Sequence, residues 1–282
     1  MKILAIGDFH REFPKKFNKI IKKEKIDLVI SNGDYFPFHY RKLWFKHCFD
    51  KDVELWEVIG KKKYKKLVMG DLRDGESALR KLNTLPIPVF TVIGNIDYTR
   101  TKPDTIDVDW NKKWKWDLQD FFSKIIKKYP NIKRFDYNYL KFGEFVFIGA
   151  YGGTNRGKVT SKAFRKHRKI LNKLFKKFRK ENKLRKVIFV SHNVPFNTKL
   201  DKASMGAHPI VRGKHIGSKL IRRIIQSYQP VLHIGRHMHE AKGIDKIGKT
   251  ICINSGAAHE GQAAIIKLPE NDKEKLKVKF IK

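Results

Sequence analysis

Short apolar runs that stop abruptly on small or polar residues recur along the chain. Residues 2–6 (KILAI) end at Gly7-Asp8, and residues 27–31 (DLVIS) end at Asn32-Gly33-Asp34. Between them Phe17, Ile20, Ile21 and Ile26 share one helical stripe and lysines fill the other faces, so this stretch predicts strand, helix, strand with a parallel crossover. Further runs at 87–93 (IPVFTVI), 145–149 (FVFIG), 186–191 (KVIFVS) and 230–234 (PVLHI) end on Gly, Ser, Asn or His. The longest helix is predicted at about 160–182, where Ala163, His167, Ile170, Leu171, Leu174 and Phe178 recur at spacings of three and four. Its many basic residues fit a solvated face over a sheet or a nucleic-acid-binding helix. From residue 243 the pattern changes: 243–247, 249–254, 262–268 and 275–281 read as short strands in hairpins. The whole predicts an α/β fold with mixed sheets flanked by helices, as a single domain over 1–282.

Two segments interrupt this rhythm. Residues 35–67 hold Tyr35, Phe36, Phe38, Tyr40, Trp44, Phe45 and Trp56 with the run KKKYKK, and residues 100–117 hold Trp110, Trp114 and Trp116 among lysines. Both follow a strand's end and read as basic aromatic insertions on the rim of a site. The aromatics can stack bases or pack a small cap, and both readings stay open.

The charge sharpens the first possibility. Lys+Arg number 63 against 28 Asp+Glu, a net charge of +35, far beyond what solubility requires. Neutralising phosphates releases counterions and binds DNA or RNA without base reading; anionic lipid is a second polyanion. A Lys-rich, heat-adapted composition is the alternative, but it predicts Glu rising with Lys, which this chain lacks. Only Cys48 and Cys252 are present, too few for a disulfide framework or a zinc ribbon. The apolar start is shorter than a signal-peptide core and no run is long enough to cross a membrane, so a cytoplasmic location is expected.

Chemistry concentrates where the strands end: Asp8 and His10, Asp34, Asn95, His192, then His237 and His239. Each has a structural alternative. Asn95 and Asp97 in GNID suit a turn, and a lone His after a strand often only bonds locally. In an extended strand residues i and i+2 share a face, so Asp8 with His10, and His237 with His239, are expected to converge on one ion. Carboxylates, an amide oxygen and imidazoles together suit divalent Mn, Fe, Zn, Co or Ni.

These residues, as Gly7-Asp8-Phe9-His10, Gly33-Asp34, Gly94-Asn95-Ile96-Asp97, Ser191-His192 and Arg236-His237-Met238-His239, resemble the ordered motifs of the calcineurin-like metallophosphoesterases. The tail HMHEAKGIDKIGKTICINSGA is similar to that of predicted archaeal phosphoesterases. The resemblance implies a four-layer α/β/β/α sandwich with two mixed sheets and a site for two divalent ions, Mn foremost and Fe, Zn, Ni, Co or Mg as alternatives. It further implies Asp8, His10, Asp34 and His239 on one ion, Asp34, Asn95, His192 and His237 on the other, and a metal-activated hydroxide attacking a phosphoester. Two departures stand out. Ile96 replaces a His that protonates leaving groups in part of the family, which favours phosphodiesters over monoesters and leaves His215 or Asp97 as substitute acids. Arg236 replaces a Gly, and can face away or clamp the substrate phosphate. Gly152–Gly157 with Arg156 can cradle a phosphate or form a turn, Glu240 can orient a ligand imidazole, and His208 and His233 are read as structural. A phosphomonoesterase and a basic RNA- or ribosome-binding protein on the same scaffold are the alternative functions.

Overall fold

A computed structural model gives the fold and describes residues 1–49, 51, 53–98, 114–152, 159–207, 209–270 and 274–282. In chain order the strands are β1 Lys2–Ile6, β2 Leu28–Ser31, β3 Val89–Thr91, β4 Ile132–Arg134, β5 Tyr139–Phe142, β6 Phe145–Gly149, β7 Val187–Asn193, β8 Leu232–Arg236, β9 Gly243–Ile247, β10 Thr250–Asn254, β11 Ala263–Lys267 and β12 Lys277–Ile281. The helices are α1 Lys16–Glu24, α2 Arg41–His47, α3 Leu55–Ile59, α4 Lys61–Asn83, α5 Phe121–Ile126, α6 Lys162–Lys177, α7 Arg179–Lys183 and α8 Lys219–Tyr228.

The strands form two six-stranded sheets, in the orders β12-β11-β1-β2-β3-β4 and β5-β6-β7-β8-β10-β9. Both are mixed. β1 to β4 run parallel, with β11 antiparallel to β1 and β12 antiparallel to β11 at one edge; β6, β7, β8 and β10 run parallel, with β5 and β9 antiparallel at the margins. Strands buried on both faces read as continuous apolar runs, which is why KILAI and FVFIG were legible. Ile3, Ala5, Ile30 and Phe90 of the first sheet pack between the sheets against Phe147, Ile188, Leu232 and Ile253 of the second. The outer face of the first sheet buries Phe17, Val68, Leu79 and Phe122 of the helices, and that of the second buries Leu171, Phe175, Leu220 and Ile224. The result is the four-layer α/β/β/α sandwich.

The helix expectations are corrected. The longest described helix is α4, 23 residues over Lys61–Asn83, not the 160–182 segment. That segment breaks because Phe178 leaves helical geometry, is buried, and sets its ring 4.4 Å from that of Tyr139. The aromatic insertion, where described, packs a cap: Trp114 lies 6.2 Å from Trp56 and 4.9 Å from Trp116, and Lys61 sits over Trp56 and Trp114. Trp110 and the rest of 99–113 lie outside the described residues. Among the described residues no helix is long and apolar enough to cross a membrane.

Candidate functional site

The two sheets bring the same ends of their parallel strands to one place. From the first come Asp8 and His10 after β1, Asp34 after β2, and Asn95 and Asp97 after β3; from the second come His192 in β7 and His237 and His239 after β8. Asn32, which the motif reading passed over, ties the sheets together. Its side-chain amide donates to the Ser191 and Ile234 carbonyls at 2.7 and 3.1 Å, and its own carbonyl accepts from His192 Nδ1 at 2.8 Å.

The convergence of Asp8 with His10 has a different origin from the one expected. β1 and β8 stop before these residues, and the backbone turns left-handed at Asp8 (φ 49°), His10 (φ 42°) and His237 (φ 77°), as it does at Asp34 (φ 56°). Such conformations cost about 1 to 3 kcal/mol each and persist where the surroundings over-determine them. Here amides of residues 8, 9 and 10 donate to the Gly33 and Asp34 carbonyls at 2.8–3.1 Å. Two glycines permit that closeness: a Cβ on Gly33 would fall 2.0 Å from Gly94 N, and one on Gly94 would fall 1.9 Å from Asp34 Oδ1. Asp97 then locks the loops, its carboxylate accepting from the amides of Asp34, Tyr35 and Gly94 at 2.7–2.8 Å. With both oxygens so committed and the side chain buried, Asp97 does not fit the leaving-group acid role.

The centre is electrostatically unfinished. Both Asp8 carboxylate oxygens are buried without a hydrogen-bond partner, which is costly for a charged group. Burial pushes Asp8 up, but His239, His192, Arg236 and His10 outweigh it and hold Asp8 below its ordinary value. Burial, then the Asp8 and Asp97 charges, drives Asp34 well above its own. His10 is pushed down to about 4, chiefly by burial against the pull of Asp8. His192 Nδ1 donates to the Asn32 carbonyl, and its Nε2 lies 2.9 Å from Asn95 Oδ1 and 3.4 Å from Asp34 Oδ2. His237 Nδ1 is 3.0 Å from the same nitrogen. Carboxylates and imidazoles crowded this closely are an arrangement that a cation resolves, and Asp8-His10-Asp34 and Asp34-His192-His237 each lie within reach of one ion. His239 Nε2 is 3.4 Å from Asp8 Oδ2.

Arg236 does not reach outward. It is fully buried, donates to Ser255 Oγ at 2.9 and 3.1 Å and to the Gly7 carbonyl, and lies 4.0 Å from Asp8, so the phosphate-clamp role is withdrawn and Arg236 braces Asp8 from inside. His215 bonds Asp201 Oδ1 at 2.7 Å and touches the Phe196 ring; no described contact joins it to the cluster, and it precedes α8 rather than opening it. Glu240 accepts from Ser204 N at 3.3 Å, while His10 and His192 are oriented by the Phe36 and Asn32 backbone carbonyls. His233 is structural, bonded to Ser191 Oγ at 2.8 Å. His208 and residues 153–158, with Arg156, lie outside the described residues. His259, also passed over in the sequence, stands beside His10 and His239 with ring centroids at 4.8 and 5.3 Å. A cleft of about 470 Å³ opens next to His239, lined in part by Ser204, Glu240, Lys242, Glu260 and Gln262.

A family model described as calcineurin-like phosphoesterase matches residues 1–241. The uncharacterized protein MJ1162 of Methanocaldococcus jannaschii is 31% identical over 256 residues, covering 90% of this chain and 87% of that protein. Similar solved folds include a dimetal phosphatase from Danio rerio (TM-score 0.54, 12% identity, 99% and 95% of the two chains) and TT1561 of Thermus thermophilus (TM-score 0.53, 15% identity, 99% and 97%).

Proposed function

The chain belongs to the calcineurin-like phosphoesterases, metal-dependent hydrolases of phosphoesters, and from that premise we propose that it is a phosphodiesterase acting on nucleotide or nucleic-acid substrates. The family works at a dinuclear metal centre, and this chain carries candidate ligand groups for one. In our reading Asp8, His10, Asp34 and His239 hold one cation, Asp34, Asn95, His192 and His237 hold the second, and Asp34 bridges them. When bound, the pair supplies Lewis acidity toward the phosphoryl oxygens and lowers the pKa of a coordinated water; Mn is our first choice of metal. The protein's own part is placement. Asp97 fixes the Asp34 and Asn95 loops, Asn32 aims His192, and Arg236 braces the Asp8 loop from inside.

Ile96 carries the diester reading. Its amide donates to Asp34 Oδ1 at 3.1 Å, so it stands beside the shared carboxylate with a side chain that has no proton to give. General-acid help is worth about 10²–10⁴-fold, and without it esters with poor leaving groups suffer most. The +35 charge supports a polyanionic substrate, because phosphate neutralisation by Lys and Arg supplies affinity along a strand. The cleft beside His239, with the carboxylates of Glu240 and Glu260 in its lining, favours a small substrate and keeps a phosphomonoesterase as the second reading. Purified protein with Mn²⁺, assayed on matched aryl phosphodiester and phosphomonoester, should prefer the diester by about tenfold or more, a part of the roughly 10²–10⁴-fold general-acid effect because an aryl leaving group needs less of it. A monoester preference refutes the diester reading. Full activity in Asp34→Ala or His192→Ala refutes the ligand assignment. RNA binding that is steeply salt-dependent, with no turnover of any ester, would instead mark a binding protein.

A further inference from the structure

His259 lies in a short turn, Ala258–Glu260, beyond the 1–241 segment that the family model matches. The turn is fastened to the loop that carries Asp8. Ala258 N donates to the Gly7 carbonyl at 2.9 Å and His259 N to the Asp8 carbonyl at 3.3 Å. The His259 ring makes a further bond, Nδ1 to the Asp8 carbonyl at 2.8 Å. That wiring repeats what the site does elsewhere: Nδ1 of His192 is held by the Asn32 carbonyl at 2.8 Å and Nδ1 of His10 faces the Phe36 carbonyl at 3.4 Å. An imidazole whose Nδ1 proton is given to a carbonyl presents Nε2 as a lone pair, the usual preparation of a metal-binding histidine.

The lone pairs have a common destination. One ligand nitrogen from each of His10, His239 and His259 lies within 4.8 Å of the others, and Asp8 Oδ2 is 3.4 Å from His239 Nε2. Three imidazoles gathered this closely beside a buried carboxylate that has no hydrogen-bond partner form a shell for a cation. We propose that His259 is an eighth ligand residue of the centre, joining His10 and His239 on the cation next to Asp8. This rests on the dinuclear reading above and deepens it: a shell with three imidazoles suits Zn, Co, Ni or Fe better than Mg.

The test uses metal binding rather than turnover. Metal-free wild type, His259→Ala, His259→Gln and Asp34→Ala are titrated with Co²⁺ by calorimetry and by visible absorption. Removing one ligand imidazole should weaken one of the two sites by about tenfold or more, the scale seen when even groups supporting a ligand are removed, and should change the Co²⁺ spectrum. The metal-free melting temperature should stay near wild type, because the His259 side chain is 28% exposed and outside the apolar core. In the unaltered protein, diethylpyrocarbonate mapped by mass spectrometry should label His259 without metal and spare it once Co²⁺ is bound. If both His259 variants bind two ions as wild type does, or if labelling ignores the metal, His259 is only a latch on the Asp8 carbonyl and the proposal fails. Asp34→Ala separates the two levels: wild-type binding in that variant sinks the dinuclear reading itself.

Discussion

At the edge of the first sheet the chain presents Asp8, Asp34, Asn95 and Asp97, while the second sheet presents His192, His237 and His239. Oxygen donors therefore arrive from one layer and most nitrogen donors from the other. The oxygen side is the more constrained, with left-handed backbone at Asp8, His10 and Asp34 and an aromatic cap packed over its outer helices. The nitrogen side keeps more ordinary geometry: His192 sits at the end of a long buried strand, and only His237 turns left-handed. The first edge alone gathers Asp8, His10 and Asp34, but the Asp34-His192-His237 group needs both edges. The centre exists because the sandwich presses the edges together and because Asn32 and Arg236 cross between them.

The largest effects should come from removing one donor at each edge. Asp34→Ala and His192→Ala should each lower the rate of phosphoester hydrolysis by about 10³-fold or more, since metal-borne charge stabilisation is worth several kcal/mol. Equal losses would show that the edges contribute to one centre; a loss confined to one would break the symmetry. Next is Arg236→Met, which leaves Asp8 and Asp34 without their buried counter-charge. Breaking a buried pair this way costs about 3–5 kcal/mol, measurable by urea unfolding of the metal-free protein. Added divalent metal should restore much of that loss, because cation charge replaces cation charge at Asp8.

A third measurement separates the edges by pH. Burial pushes His233, in β8 of the second sheet, down to about 3 from its ordinary 6.5. Below pH 6.5 the unfolded chain takes up a proton that folded His233 refuses, so this contribution to stability is complete above 6.5 and drains away as pH falls toward 3. Between pH 6.5 and 4.5 the loss should be on the order of 2–3 kcal/mol. His233→Leu should flatten the slope at little cost, because His233 Nδ1 is buried without a partner and Ser191 Oγ keeps its bond to the Asn193 carbonyl. An unchanged slope would assign the acid sensitivity to the metal-free cluster instead.

Much of this was legible because a parallel sheet writes its active edge into the sequence as apolar runs ending in polar residues. The seven residues singled out at strand ends do come together in the fold. What escaped has physical reasons. α4 hid because KKKYKK and two glycines interrupt the eye, although Tyr64, Val68, Leu72, Leu79 and Leu82 keep a helical stripe. β4 and β5 are short and mostly half-buried, so they lack a continuous apolar signature. His259 belongs to none of the strand-end motifs, and the carbonyl that orients it is 251 residues away. Arg236 misled because an arginine beside two histidines suggests an anion, and only the fold shows it filling the space between sheets.

The smallest effect tests whether the aromatic cap belongs to the oxygen edge or is a detachable face. α4 carries two interior glycines in opposite settings. A Cβ on Gly70 meets nothing within 4 Å, while one on Gly75 would fall 2.3 Å from the Phe36 ring and 2.7 Å from Phe36 Cα, two residues beyond Asp34. Helix propensity favours Ala over Gly by about 0.8–1 kcal/mol, so Gly70→Ala should raise stability by nearly that amount. Overpacking costs about 1–3 kcal/mol, and a backbone atom cannot rotate aside, so Gly75→Ala should lower stability despite the same propensity gain. Opposite signs for one substitution made twice in one helix, read from urea midpoints, would show that the cap is seated on the loop leading from Asp34. Gains at both positions would mean that α4 lifts away easily, and Lys61, which sits over Trp56 and Trp114, would then be available to a strand of nucleic acid.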